Sequence, residues 1–338
     1  MSVIENVKEL LKNTSSIVIT THRKPDGDAI GSSLAMFHYL KQKGKDVTVI
    51  TPTDYADFLH WMPGNDEVID YENSNQTVAD ELIKNADVIF CLDFNHLKRV
   101  EGMEEKIRAC SAKTILIDHH TNPENFENYD LADVSASSTA ELIYDFICDL
   151  GDKGLINKDI AECIYTGIMT DTGSFRYPGT TAKTHRIVAD LLELGVDNSK
   201  VHEQVFDNFP ETRVKFLGYC LKEKLKIFKE YSTAIIDVTP QELAEYDIRS
   251  GDTEGLVNYG LAIQGINMAA LIIDRDQKVK ISFRSKNGFK VNEFSQKYFN
   301  GGGHTKAAGG ISDVSLEETV SKIISLLPEY KDQLNQTD

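Results

Sequence analysis

Residues 16–31 read Ser16-Ile17-Val18-Ile19-Thr20-Thr21-His22-Arg23-Lys24-Pro25-Asp26-Gly27-Asp28-Ala29-Ile30-Gly31. The run over 16–20 is rich in β-branched side chains and predicts a buried strand. Pro25-Asp26-Gly27 is turn chemistry. A helical pattern follows from about Ala29 to Lys43. Further apolar runs at 45–50, 87–92 and 113–117 predict more strands, separated by amphipathic stretches. Strands alternating with helices predict an α/β fold, an N-terminal parallel sheet with helices on both faces. Ligands of such sheets gather beyond the carboxyl ends of the strands.

From about Ser138 to Glu193 the pattern is helical, and Ser138-Thr139-Ala140-Glu141 has capping-box spacing. Residues 191–228 read as consecutive helices, broken at Asn208, Phe209 and Pro210. Strands are expected at 232–238, 267–274 and 279–284, with helices at 291–299 and 316–327. The expected organisation is a catalytic domain over 1–190, a helical connector over 191–225 and a smaller α/β substrate domain over 226–338.

The 338 residues carry 36 Lys and Arg against 53 Asp and Glu, a net charge of −17. A protein that grips long duplex nucleic acid shows a basic footprint, so that class is excluded for the chain as a whole. No apolar run approaches the ~20 residues of a membrane span. The first residues lack a signal peptide's apolar centre. The five cysteines (Cys91, Cys110, Cys148, Cys163, Cys220) form no CxxC pair. Together these predict a cytoplasmic protein with neither a disulfide framework nor a thiolate zinc site.

Four segments carry chemistry. Three follow predicted strands: Thr21 to Gly31, Leu92-Asp93-Phe94-Asn95 and Ile117-Asp118-His119-His120. The fourth, Thr170-Asp171-Thr172-Gly173-Ser174-Phe175, ends a helical pattern. Each has a plain structural reading as turn, cap or buried pair. Their shared position at strand ends brings several aspartates and three histidines to one sheet edge. Unpaired carboxylates there would repel, and divalent cations relieve that cost. Asp and His together suit Mn²⁺, Mg²⁺, Fe²⁺ or Zn²⁺. Two ions bridged by a carboxylate use so many ligands better than one.

Asn300-Gly301-Gly302-Gly303-His304-Thr305-Lys306 is the other strong signal. Consecutive glycines allow positive φ and close backbone approach to an anion. Between 278 and 306 stand Lys278, Lys280, Arg284, Lys286, Lys290, Lys297 and Lys306 against Glu293 alone. A phosphate site is expected there, and Arg suits bidentate phosphate contact. Arg176 reads either as a phosphate contact or as a surface ion pair. His38, His60, His96, His185 and His202 read as structural.

The order His-x-x-x-Asp-x-Asp, a lone Asp after a strand, Asp-His-His, then Asp within Thr-Asp-Thr-Gly resembles the DHH phosphoesterase family. The glycine-His segment and Ser282-Phe283-Arg284-Ser285 resemble its DHH-associated domain, so the likeness covers roughly residues 1 to 330. It implies two divalent ions, Mn²⁺ foremost, with Mg²⁺ or Co²⁺ as substitutes. His22 and Asp26 would hold the first ion, Asp28, His119 and Asp171 the second, and Asp93 would bridge them. Asp93, Asp118 and His120 would be catalytic. Arg284, Ser285, Gly302, Gly303, His304 and Lys306 would bind substrate. The implied activity is hydrolysis of oligoribonucleotides of a few nucleotides to 5′-mononucleotides, with removal of the 3′-phosphate of pAp. Linear or cyclic dinucleotides (pApA, c-di-AMP) are rival substrates. A non-catalytic nucleotide-binding regulator would have lost a ligand, and none is missing. The implied partners are short RNA or a small nucleotide and a second copy of the chain, with no long duplex and no membrane.

Overall fold

Strand formation follows the apolar runs closely. Six strands make the first sheet: β1 (Ser16–Thr20), β2 (Asp46–Thr51), β3 (Ile69–Asp70), β4 (Val88–Leu92), β5 (Lys113–Ile117) and β6 (Tyr129–Asp130). All pair in parallel, in the order β3-β2-β1-β4-β5-β6. The computed structural model describes residues 2–249, 251–275 and 278–336. It divides into two units, Met1–Asn208 and Phe209–Asp338.

In the first unit the helices are α1 (Val3–Lys12), α2 (Gly27–Gln42), α3 (Gln76–Asn85), α4 (Glu104–Ala109), α5 (Thr139–Asp149), α6 (Lys158–Asp171), α7 (Ala182–Glu193) and α8 (Asn198–Phe206). Side chains alternate across the sheet, so β1 sends Ile17 and Ile19 into a core with Ile30, Leu34, Ile143 and Ile164. Its Val18 packs on the other face with Ala79, Ile83 and Ile107. Both faces are therefore covered, as near-continuous apolar strands require. The strand order reverses direction at β1 and β4, which makes their carboxyl ends the switch point where α/β ligands bind.

α2 and α6 cross at glycines. A Cβ added to Gly31 would lie 2.5 Å from the Cys163 carbonyl oxygen and 3.0 Å from the Gly167 nitrogen. These are backbone atoms that cannot swing away. Helix propensity alone favours Ala over Gly by about 1 kcal/mol. Overpacking typically costs about 1–3 kcal/mol. Gly31→Ala is therefore expected to destabilise the protein by up to about 2 kcal/mol in denaturant unfolding. A gain in stability would show that the helices can separate freely.

The second unit holds α9 (Glu211–Tyr219), β7 (Leu225–Phe228), β8 (Thr233–Val238), α10 (Pro240–Glu245), α11 (Leu256–Ala262), β9 (Met268–Arg275), β10 (Lys278–Ser285), α12 (Val291–Tyr298), β11 (Gly302–His304), β12 (Ala307–Ser312), α13 (Leu316–Leu326) and α14 (Lys331–Leu334). Its sheet runs β11-β12-β10-β9-β8-β7, antiparallel except for β8 and β9. One face packs Ile281 and Phe283 on Phe294 and Ile323. The other packs Ala234 and Ala269 on Leu256 and Val257.

Two expectations are corrected here. Residues 225–228 are an edge strand, not the end of a helical run. The glycine-rich segment, for which close backbone approach and positive φ are expected, forms a strand pair. Of its three consecutive glycines only Gly303 has positive φ, at +133°. Gly301 is needed for another reason: a Cβ there would sit 2.0 Å from the Gly309 carbonyl oxygen. Close backbone packing therefore accounts for Gly301. No helix among the described residues is long and apolar enough to cross a membrane.

Candidate active site

Each polar motif of the first unit sits where a strand or helix delivers it. His22 follows β1, Asp93 follows β4, and Asp118 to His120 follow β5. Asp171 is the last residue of α6. Asp26 caps α2: its Oδ1 accepts from the Asp28 and Ala29 amides, both at 3.1 Å. Its Oδ2 is 3.9 Å from His22 Nε2. The capping role and the site role thus fall on different oxygens of one carboxylate.

Asp93 lies at the centre. Its Oδ2 is 3.4 Å from His22 Nε2, and its Oδ1 is 3.7 Å from both His119 Nε2 and His120 Nδ1. Its backbone is left-handed, φ +65°, a conformation that Asp tolerates better than most residues. His119 Nε2 also faces Asp171 Oδ2 at 3.4 Å and Asp28 Oδ2 at 3.9 Å. The ligand atoms of His22, Asp26 and Asp93 all lie within 4.8 Å of one another, and so do those of Asp28, His119 and Asp171. Asp93, Asp118 and His120 form a third such group.

These separations suit shared cations. Ligands about 2.0–2.2 Å from one ion stand roughly 3–3.5 Å apart. Tautomers agree with this. His22 Nδ1 lies 2.8 Å from the Arg23 carbonyl, to which it donates, so in the neutral ring the lone pair that can take a cation is on Nε2, facing Asp93 and Asp26. The first two groups can therefore each hold a divalent cation. His120 differs, because its Nδ1 donates to Asp118 Oδ1 at 2.7 Å. Buried Asp118 thereby orients the ring.

Without cations the cluster is electrostatically tense. Burial raises the Asp28 carboxyl well above its ordinary range, and the charges of Asp93 and Asp171 add to this. Burial would also raise Asp93, but the His22 hydrogen bond and the charges of His120, His22 and His119 outweigh it and hold Asp93 low. Burial would lower His22, yet the hydrogen bond to Asp93 and the charge of Asp26 carry it above 6.5. His119 rises likewise against burial, through Asp93, Asp28 and Asp118.

Thr139 has a role that its sequence context hides. The Ser138 hydroxyl accepts from the Glu141 amide at 3.1 Å, as capping-box spacing predicts. The reciprocal half is absent: the Glu141 carboxylate accepts instead from the Ser137 and Thr184 hydroxyls, at 2.6 and 2.8 Å. The open amides of the α5 start turn to Asp28, with Thr139 N at 2.6 Å and Ala140 N at 2.8 Å. The Thr139 hydroxyl donates to Asp93 Oδ1 at 2.9 Å. One buried threonine thus ties two central carboxylates.

In the second unit Arg284 pairs with Ala307 across β10 and β12, and Ala307 pairs with His304 across β11. Arg284 and His304 therefore share one sheet face, two strands apart. Ser282 shares that face by strand alternation. Ser285, expected beside Arg284, points the opposite way: it is buried, and its hydroxyl donates to the Phe289 carbonyl at 2.5 Å. Gly302 is half-buried, and Gly303, His304 and Lys306 are exposed. The Arg176 Nε donates to the Gly173 carbonyl at 2.6 Å.

Residues 16–168 match the DHH family N-terminal domain, and residues 232–331 match the DHHA1 domain. The chain is 30% identical over 325 residues to the bifunctional oligoribonuclease and PAP phosphatase NrnA of Thermus thermophilus, covering 96% of this chain and 93% of that one.

The chain belongs to the DHH family.

A Bacillus subtilis protein of the same name is 28% identical over 308 residues, covering 89% of this DHH chain and 91% of its own length. Among solved structures, an exopolyphosphatase-related protein from Bacteroides fragilis has a TM-score of 0.94 at 39% identity, covering 99% of this chain and 98% of that chain. The α/β architecture expected from sequence and the DHH family reading both stand. The Asp-His-His tripeptide from which the resemblance started lies inside the matched DHH domain.

Proposed function

We propose that this protein hydrolyses short oligoribonucleotides to 5′-mononucleotides and removes the 3′-phosphate of pAp, using two divalent ions. The observation that carries this reading is the pair of ligand groups flanking Asp93. In it His22, Asp26 and Asp93 would hold one ion, and Asp28, His119 and Asp171 would hold the other, with Asp93 near enough to serve both. The donors are carboxylate and imidazole without thiolate, which suits Mn²⁺. Bound divalent ions supply charge neutralisation for in-line displacement at phosphorus. Asp118 holds the Nδ1 proton of His120, so that His120 meets the substrate through Nε2. Nε2 is then the ring atom available to a phosphoryl oxygen. Asp93 and Asp28 are held in place by Thr139.

Arg284, His304, Lys306 and the small residues between them form the phosphate-binding face of the second unit. Arg284→Ala is expected to raise KM on a short RNA about tenfold while kcat changes little, as loss of uniform binding does. An unchanged KM would remove the anchoring role.

The function is tested with metal-stripped protein given Mn²⁺. Initial rates are compared on pApA, a five-nucleotide RNA, pAp, a cyclic dinucleotide, pyrophosphate and polyphosphate. Rapid release of 5′-mononucleotides from the short RNAs and of phosphate from pAp, both stopped by chelator, is the expected result. Turnover confined to pyrophosphate or polyphosphate overturns the substrate assignment while leaving the metal centre in place. Tight nucleotide binding without any turnover favours a regulator.

A further inference from the structure

The three residues after Thr172 adopt a conformation that L-residues rarely take in succession. Gly173, Ser174 and Phe175 have φ of +56°, +60° and +64°. Left-handed residues normally occur singly, because the Cβ crowds the following carbonyl. Only the first of these three is glycine. The turn begins two residues beyond Asp171, at the end of α6, so it fixes where that helix stops.

Several contacts hold it. The Arg176 and Tyr177 amides both donate to the Thr172 carbonyl at 3.0 Å, and the Phe175 amide donates to the Thr172 hydroxyl at 3.0 Å. The Ser174 amide donates to the Met169 carbonyl at 2.7 Å. These bonds are local. The tie from the middle residue to another element is a side-chain hydrogen bond, Ser174 Oγ to His202 Nε2 at 2.8 Å. His202 lies on α8, and its Nδ1 is 2.8 Å from the Asn198 carbonyl. A carbonyl only accepts, so Nδ1 carries the proton and Nε2 accepts from the serine hydroxyl. The ring is itself packed, 6.3 Å from the Tyr165 ring, which also meets Phe175 at 5.8 Å.

We infer that His202 is a positioning residue of the metal centre, acting through Ser174 to hold the left-handed turn that sets the end of α6 and with it Asp171. His202 does not touch the ligand cluster. The inference rests on the proposed reading of Asp171 as a ligand. Structural strain of this kind persists only where surrounding contacts over-determine it. Residues that orient ligands typically change metal affinity by about 10–100-fold when mutated.

The test titrates full-length, metal-stripped protein with Mn²⁺ alone by calorimetry, with thermal midpoints as the check on folding. Ser174→Ala and His202→Phe are each expected to weaken one Mn²⁺ site about tenfold. The double variant is expected to be no weaker than either single. Ser174→Gly removes the same hydroxyl but accepts positive φ without penalty. It should therefore bind Mn²⁺ nearly as the parent does, a rescue that a mere packing role does not produce. Ser174→Ala keeps the test decisive if His202→Phe folds poorly. Asp171→Asn separates the two levels of the argument. If it loses a site while Ser174→Ala binds as the parent does, the inference about His202 is overturned and the metal reading stands. Equal losses in Ser174→Gly and Ser174→Ala also overturn the inference. If Asp171→Asn binds Mn²⁺ as the parent does, the ligand assignment falls and takes the inference with it.

Discussion

Asp93→Asn is expected to lower kcat/KM on a short RNA by at least about a thousandfold, the loss of about 4 kcal/mol of transition-state stabilisation. Asn is the cleaner substitution because position 93 has φ +65°, which Asn shares with Asp at little cost and Ala does not. The carboxylate reaches His22 through one oxygen and His119, His120 and the Thr139 hydroxyl through the other. An amide at this position offers one neutral oxygen in place of two charged ones. The proposed bridge between two cations would then be lost, and each proposed group weakened. Asp93→Ala should be equally inactive and slightly less stable. Removing the Asp93 charge eases the repulsion on Asp28 but also takes away the favourable pairing with His22, His119 and His120 that holds Asp93 low, and the two effects oppose each other. The metal-free Asn variant should therefore remain folded, with a thermal midpoint close to that of the parent. Folded protein with near-parental turnover would sink the two-metal proposal.

The second large effect is on stability. His22 and His119 are raised above 6.5 in the folded protein, so each contributes stability that is complete below that value. The contribution is lost as pH rises through the folded values. Asp28, raised well above 3.8, acts with the same sign. Through this range these three groups bind more protons in the folded chain than in the unfolded one, so they make metal-free stability fall as pH rises. Asp93, held low, acts oppositely, and its contribution is lost only in acid. Metal binding requires the deprotonated ligands and so strengthens with pH. At a thousandfold excess over Kd, one site adds about 4 kcal/mol. At about 2–4 °C per kcal/mol this raises the thermal midpoint by about 8–16 °C. Calorimetric scans between about pH 6 and about pH 8.5, with chelator and then with Mn²⁺, check both signs. A metal-free midpoint that climbs with pH would contradict the electrostatic account of the cluster.

Much of the fold was legible because burial on both faces writes itself as unbroken apolar runs. Ser16–Thr20 and Lys113–Ile117 begin and end where the residue types predict. The polar residues just beyond those runs had to emerge at one edge once the sheet was parallel. Strand parity was legible as well. Arg284 and Ser285 are adjacent, so they cannot line the same face, and Ser282 is the serine that accompanies Arg284. The 302–312 strand pair was not legible, since glycine and alanine carry no alternation of polarity. The backbone approach that requires Gly301 exists only once β12 is in place.

The residues alone determined the parallel α/β unit, the four polar motifs and their position at element ends. A strand's composition reports its burial, and a residue's place in a motif does not depend on distant packing. Only the tertiary structure decided how those motifs combine. The α2–α6 crossing at Gly31 and Gly167 brings Asp171 beside His119 and Asp28. Tertiary packing also turned the Thr139 and Ala140 amides from a helix start into the clamp on Asp28, and gave His202 a partner in Ser174. These pairings join residues far apart in sequence, and local propensity carries no record of which distant group a buried donor will meet.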